Sequence, residues 1–214
     1  MSIISLRKVT KHFGKNSVIR DASFDIEAGR TYGLVGPNGS GKSVLLKLMC
    51  GFAIPSSGDI WVDPKYLSSN RSFPEHFGVA INGPAYLPHL TGRKNLLELA
   101  AITRRAGAAE VDSALGRVGL DLDVKQKVRD YSLGMKQKLS LAQALMEEPS
   151  VLILDEPFNA LDASSATRLG SILREEQAKG TTIVYTSHHR ADIDEHSDQL
   201  LEFDGGIVKT LSMD

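Results

Sequence analysis

Residues Gly36 to Ser43, GPNGSGKS, carry the spacing Gly-x-x-x-x-Gly-Lys-Ser. Glycines at those places let successive backbone N–H groups turn inward around phosphate oxygens, while Lys42 reaches the β and γ phosphates and Ser43 holds Mg2+. VLILDEP, Val151 to Pro157, places Asp155 and Glu156 where an apolar run stops. A carboxylate there suits the outer coordination of a metal, and a second accepts a proton from water attacking the γ phosphate. TTIVYTSHH ends a further apolar run, so His188 emerges at the same edge, within reach of that phosphate and that water. His188, His189, Asp192 and His196 could alternatively form a metal site; we read RADIDEHSDQL as a surface helix with solvated polar residues.

These residues need elements to hold them. The glycine-rich stretch follows the apolar run TYGLV and opens the helical pattern KSVLLKLMCGF, whose first N–H groups and partial positive charge favour an anion. Strand-like runs at ISLRKVT, ASFDIEA, TYGLVG, GVAI, VLILD and TTIVYTS alternate with helical patterns beginning near Lys42, Gly92, Leu133 and Ala163. That alternation predicts an α/β fold with a mostly parallel sheet covered on both faces. The first two strands are close together without a helix between them and predict an antiparallel subsheet. From about Pro84 to Val128 the pattern is helical and reads as an inserted lobe. The expected division is 1–82 and 129–214 for the core and 83–128 for the helical subdomain. IPSSGD and YLSSNRSFPEH read as short linkers. YSLGMKQKLSLAQALMEEP reads as a helix starting at Ser132, a good N-cap residue, which by itself explains that serine.

Composition narrows the function classes. The 214 residues hold 25 Lys and Arg against 26 Asp and Glu, a net charge of -1, which gives no electrostatic reason to expect nucleic acid as partner. The single cysteine, Cys50, lies in an apolar helical stretch, as a buried inert thiol does, and suits a reducing compartment. No run approaches the roughly eighteen apolar residues of a spanning helix, and the N-terminus lacks the order of a signal peptide, so a cytosolic chain is expected.

The order of glycine-rich loop, helical insertion, serine-led helix, VLILDEP, NALD and TSH resembles the nucleotide-binding subunit of ATP-binding cassette (ABC) transporters over essentially the whole chain. Within that family, YSLGMKQ, GPAYLPHLTGRKNLLELA and LILDEPFNALD are most similar to the bacitracin and lantibiotic exporter group. The resemblance implies a P-loop NTPase core of RecA type and an ATPase at the cytoplasmic face of a membrane, working through a separate transmembrane permease. It implies two subunits head to tail, two copies of this chain or a pair of relatives, each ATP lying between the loop of one and the serine-led helix of the other. Carried over, Gly36, Pro37, Asn38, Gly39, Ser40, Gly41, Lys42, Ser43 and Val44 hold ATP, and Ser43, Asn82 and Asp155 serve Mg2+. Glu156 is the general base, His188 the switch histidine, and Lys42 a catalytic cation. Ser132 and Gly134 serve the partner's ATP, Asp162 lies at the dimer seam, and Phe13 matches the aromatic that stacks on adenine.

Two departures stand out. Many members carry Gln where this chain has Asn82, one methylene shorter, and the usual Leu-Ser-Gly-Gly-Gln reads here Tyr131-Ser132-Leu133-Gly134-Met135, with Gln137 close by. A soluble ABC ATPase, such as the iron–sulfur assembly type, and a regulatory module that binds ATP without turnover are the alternative readings.

Overall fold

The structure, a computed structural model, describes residues 1–67, 74–83 and 86–212. Part of the linker read at YLSSNRSFPEH, and Pro84 and Ala85 at the start of the helical stretch, lie outside the described residues.

Strands β1 (Ser2–Phe13) and β2 (Asn16–Glu27) form the expected antiparallel pair. A strand not anticipated from the sequence, β4 (Ser57–Val62), closes the other edge of β1, giving the order β2-β1-β4. IPSSGD is therefore no linker: its second half is already strand. β4 is mostly exposed and lacks the apolar alternation by which a half-buried strand is recognised. Gly58 is required there, because its φ is +80° and a Cβ would run into the backbone of Lys8. Lys8 itself holds φ +51° where the pairing of β1 shifts register, so the bulge and the glycine fit one another.

The second sheet has six strands in the order β5-β6-β7-β3-β8-β9. These are β5 (Phe77–Ala80), β6 (Val151–Leu154), β7 (Thr182–Ser187), β3 (Thr31–Val35), β8 (Gln199–Asp204) and β9 (Ile207–Ser212). All pair in parallel except β8 with β9. Every residue of β6 and β7 is buried, as their continuous apolar character requires of strands covered on both faces. Alternate side chains divide between two cores: Leu152, Leu154, Ile183 and Tyr185 face one cluster, Val151, Ile153 and Val184 the other.

Helix α1 (Lys42–Met49) packs in the second of these cores with the antiparallel sheet. Helices α2 (Gly92–Thr103), α3 (Ala108–Arg117), α4 (Leu133–Leu145) and α5 (Ala163–Ala178) contribute to the first. The starts expected at Lys42, Gly92, Leu133 and Ala163 coincide with those observed. Side-chain caps explain three of them: Thr91, Ser132 and Asp162 each accept from a backbone N–H three residues on. Arg93 pairs with Asp112 at 2.6 Å between α2 and α3, and Arg117 reaches the buried Glu176 at 2.7 Å, joining α3 to α5. Cys50 is buried, and burial pushes its thiol pKa up.

The segment read as one surface helix, RADIDEHSDQL, is corrected. Helix α6 (Arg190–His196) stops at His196, and Gln199 and Leu200 begin β8. Nor is His196 solvated, since its side chain is only 6% exposed. The β8–β9 hairpin turns through Gly205 and Gly206, at φ +53° and +87°, a two-glycine turn that favours a hairpin.

Candidate functional site

The loop from Gly36 to Gly41 leaves the end of β3 and enters α1 directly. It lies flat on its neighbours: a Cβ on Gly36 would overlap the Phe203 carbonyl, and one on Gly41, whose φ is +118°, would lie 2.6 Å from Val18 Cγ1. α1 has no side-chain cap and no acid in its first turn. Its leading N–H groups and positive dipole end are thus left for an external anion. Lys42 is 6% exposed; its Nζ donates to the carbonyls of Gly36 at 2.7 Å and Pro37 at 3.1 Å and lies 3.3 Å from Glu156 Oε1.

A cavity of about 330 Å3 opens over this loop. Asn38, Gly39, Gly41, Lys42 and Ser43 line its floor, Phe13, Val18 and Val44 its apolar side, and Asp155 and Glu156 its acidic end. Phe13 is 55% exposed and has Lys11 Nζ 5.2 Å from its ring centre, so it is no core residue. The buried Ser40 Oγ has no hydrogen-bond partner among the described residues, and Glu156 Oε1 is met only by the Lys42 ammonium. An unpaired hydroxyl in the glycine-rich loop fits a phosphate oxygen, and the carboxylate oxygen at the cavity's acidic end fits a water.

The two carboxylates are held by β7. Thr186 Oγ1 donates to Asp155 Oδ1 at 2.8 Å and accepts from Glu156 N at 2.8 Å, so one buried hydroxyl sets both residues. His188 Nδ1 lies 2.9 Å from Glu156 Oε2, and the His188 backbone N–H donates to the same oxygen at 3.3 Å. Glu156 takes φ +49°, an uncommon conformation for a residue with a side chain. Asn82 approaches from the end of β5 with its amide oxygen accepting from Lys47 Nζ at 2.6 Å and its nitrogen donating to Asp155 Oδ2 at 3.3 Å. That orientation is the one its partners satisfy.

Sequence reading missed Thr186 and Lys47, although both carried a signal. Thr186 is two residues before His188 in the quoted run, and Lys47 is one helical turn beyond Ser43.

Ser132, Gly134 and Asp162 do not line this cavity. Ser132 Oγ accepts from Met135 N at 3.2 Å as the cap of α4, and Leu133 points outward at 73% exposure. Gln137 donates to the carbonyls of Pro157 at 3.0 Å and Glu156 at 3.3 Å, so its amide serves its own chain's turn rather than replacing the missing Gln at Met135. Asp162 caps α5, accepting from Ser165 N at 2.8 Å and from Ser164 Oγ at 2.9 Å. The Ser165 backbone N–H, then the Ser165 and Ser164 side chains, lower the pKa of its carboxyl to about 2.

Comparison with known proteins gives the family. The ABC transporter family model matches residues 19–159. The uncharacterized ABC transporter ATP-binding protein YybJ of Bacillus subtilis (strain 168) is 38% identical over 97% of this chain and 95% of its own length. The bacitracin transport ATP-binding protein BcrA of Enterococcus faecalis is 33% identical over 99% of this chain and 70% of its own. Among solved structures, the dimeric post-hydrolysis state of the ATP-binding cassette MJ0796, bound to ADP and Pi, superposes with a TM-score of 0.86 over 99% of both chains. At 21% identity that likeness shows the fold. The chain belongs to the ABC transporter family, as a subunit that binds and hydrolyses ATP to drive a transporter.

Proposed function

We propose that this subunit powers export of a drug, peptide or similar solute through a separate membrane-spanning permease, docked at the cytoplasmic face of the membrane. The convergence of Lys42, Ser43, Asp155 and Glu156 at one cavity, with His188 bonded to Glu156, carries the reading. Its exporter side rests on likeness to BcrA, which is named for bacitracin transport. Relatives named as transport subunits favour this over a soluble ATPase.

In this reading ATP lies with its base against Phe13 and its phosphates along Gly36 to Val44. Lys42 leaves the loop carbonyls and Glu156 for the β and γ phosphates. Ser43 and Asp155 both line the cavity and would hold Mg2+, with Asn82 keeping Asp155 in place through its amide. Bound there, the ion would offset the charge of the phosphate oxygens. Glu156 Oε1 accepts the proton of the attacking water while His188 fixes Oε2. Positioning and charge stabilisation supply most of the acceleration.

Two such subunits close head to tail, with Ser132 and Gly134 presented to the partner's ATP and Asp162 at the seam. Residues 83–128 act as the helical subdomain that meets the permease. Beside them, a cavity of about 420 Å3 between α1, β5 and α2 is lined by Phe52, Phe77, Leu99 and Ile102, with Phe52 and Ile102 exposed at 54% and 77%. An apolar element of the permease suits it. No helix among the described residues is long and apolar enough to cross a membrane.

Glu156→Gln tests the reading directly. ATP binding should persist, turnover should fall by about a thousandfold or more, and a nucleotide-bound dimer should accumulate on gel filtration. Turnover at the normal rate would remove Glu156 as the base.

A further inference from the structure

The segment from Glu156 to Leu161 joins the proposed base to Asp162, and it is strained. Glu156 and Ala160 hold φ of +49° and +62°, a left-handed conformation that strains a residue with a side chain. Gln137 braces one side of this turn through two carbonyls. On the other side the ring of Phe158 is enclosed by two aromatic neighbours. Tyr185 meets it edge-on, centroids 5.9 Å apart at 64°, and His196 stacks on it at 5.3 Å and 12°.

His196 is built into that place. α5 leaves a slot for it at Gly170, where a Cβ would lie 2.6 Å from His196 Cε1. Its Nδ1 lies 3.3 Å from Arg174 NH1, and a guanidinium can only donate. Nδ1 is therefore the unprotonated acceptor, and the ring is neutral with its proton on Nε2. We propose that His196 is a positioning residue for hydrolysis: its neutral ring clamps Phe158 and thereby the turn carrying Glu156 and Asp162, and protonation of Nδ1 opens the clamp. This rests on the reading of Glu156 as the base.

Charges around the ring give the direction. Burial opposes the imidazolium most, Glu195 and Asp192 on α6 favour it, and Arg174 on α5 opposes it, leaving the pKa of His196 below its ordinary 6.5. Tyr185 on β7 faces the same pocket; burial pushes the pKa of its hydroxyl up, and it stays neutral, bonded to the Asp192 carbonyl and Ser197. The unfolded chain thus takes up the proton first as pH falls. Stability is complete above about pH 6.5 and declines below it, while turnover falls at lower pH, as the folded ring itself takes up the proton. On protonation Nδ1 becomes a donor facing a donor, and two cations stand 3.3 Å apart.

Three variants of the full-length protein test this. His196→Ala removes the stack and should lower kcat about tenfold at about pH 8, with KM for ATP changed less than about twofold. His196→Phe keeps an aromatic ring without a titrating nitrogen and should stay within about threefold of wild type at that pH. It should also lose less activity than wild type at about pH 5.5. Arg174→Gln, at an exposed position, removes both the donor and the like charge, so the acid limb of wild type should move to higher pH. A readout independent of catalysis is the NMR titration of the His196 Cε1–H, assigned by its absence in His196→Phe: a midpoint below 6.5, raised in Arg174→Gln, is expected. Unchanged kcat in His196→Ala, or a His196 resonance that titrates at or above 6.5 and ignores Arg174→Gln, overturns the proposal. Normal turnover of Glu156→Gln alongside the expected His196 behaviour would instead remove the base and leave the clamp.

Discussion

Replacing Thr186 by Val isolates the group that sets both acidic residues. Thr186 is 0% exposed, and Val has nearly its shape, so the change leaves no cavity. What it removes is the hydroxyl that donates to Asp155 Oδ1 and accepts from Glu156 N, each at 2.8 Å. A buried N–H left unpaired costs about 1 to 3 kcal/mol, and a bond to a charged acceptor is worth about 1.5 to 3 kcal/mol. Asp155 keeps its bond from Asn82, which tempers the second loss, so the sum is about 2 to 5 kcal/mol. For a chain of this size that lowers Tm by roughly 4 to 20 °C. Because Glu156 loses the bond that fixes its backbone, kcat should fall about ten- to a hundredfold while ATP still binds. Thr186→Ser restores the hydroxyl and should lose only about 1 kcal/mol for the missing methyl. Differential scanning calorimetry with steady-state ATPase assays reads both arms. A Val variant with wild-type Tm and kcat would mean that this hydroxyl does not hold the site.

Lys47→Met keeps the stem and removes the donor to Asn82, freeing that amide to turn away from Asp155. Hydrolysis should drop about tenfold at retained ATP affinity, with Lys47→Arg close to wild type in a coupled ATPase assay. Asp162→Ala should fray the start of α5. Since the folded carboxyl titrates at about 2 and the ordinary value is 3.8, its contribution is present above 3.8 and lost as pH falls through 2. The variant's acid unfolding profile should therefore be flatter than wild type across that window.

The sheet centre and the helix starts were legible because physics leaves little choice there. β6 and β7 are continuous apolar runs because helices cover both their faces, and Thr91, Ser132 and Asp162 mark helix starts because each side chain satisfies a backbone N–H. β4 escaped because it lies at the edge of its sheet with most side chains in water. The β8–β9 hairpin was announced by Gly205 and Gly206 and went unread, so QLLEFD was partly absorbed into the preceding helix. His196 was misplaced for a related reason: polarity argued for solvent, while the space that buries it depends on Gly170, distant in sequence and adjacent only in the fold. At the site, sequence supplied the residues proposed to meet ATP. It could not supply Lys47 and Thr186, whose value lies in which neighbours they touch.

Lys42 connects the loop to the base more tightly than the motifs imply. Its ammonium takes the two carbonyls of Gly36 and Pro37 and stands 3.3 Å from Glu156 Oε1, with both side chains largely shielded from water. A cation at that distance, in a weakly screened setting, occupies the carboxylate oxygen that an attacking water would need. A triphosphate offers Lys42 more negative charge than one carboxylate does, so ATP entering the loop draws the lysine off Glu156. On the proposed mechanism, nucleotide binding and release of the base are then one event, and Glu156 is freed for water only when a γ phosphate is present to be attacked. ADP lacks that phosphate and should leave more of the Lys42–Glu156 pair in place. Measured by protection of the Glu156 carboxyl from carbodiimide labelling, ATP in the His188→Ala background should expose the carboxyl and ADP should not. Equal labelling with both nucleotides would break the link between the loop and the base.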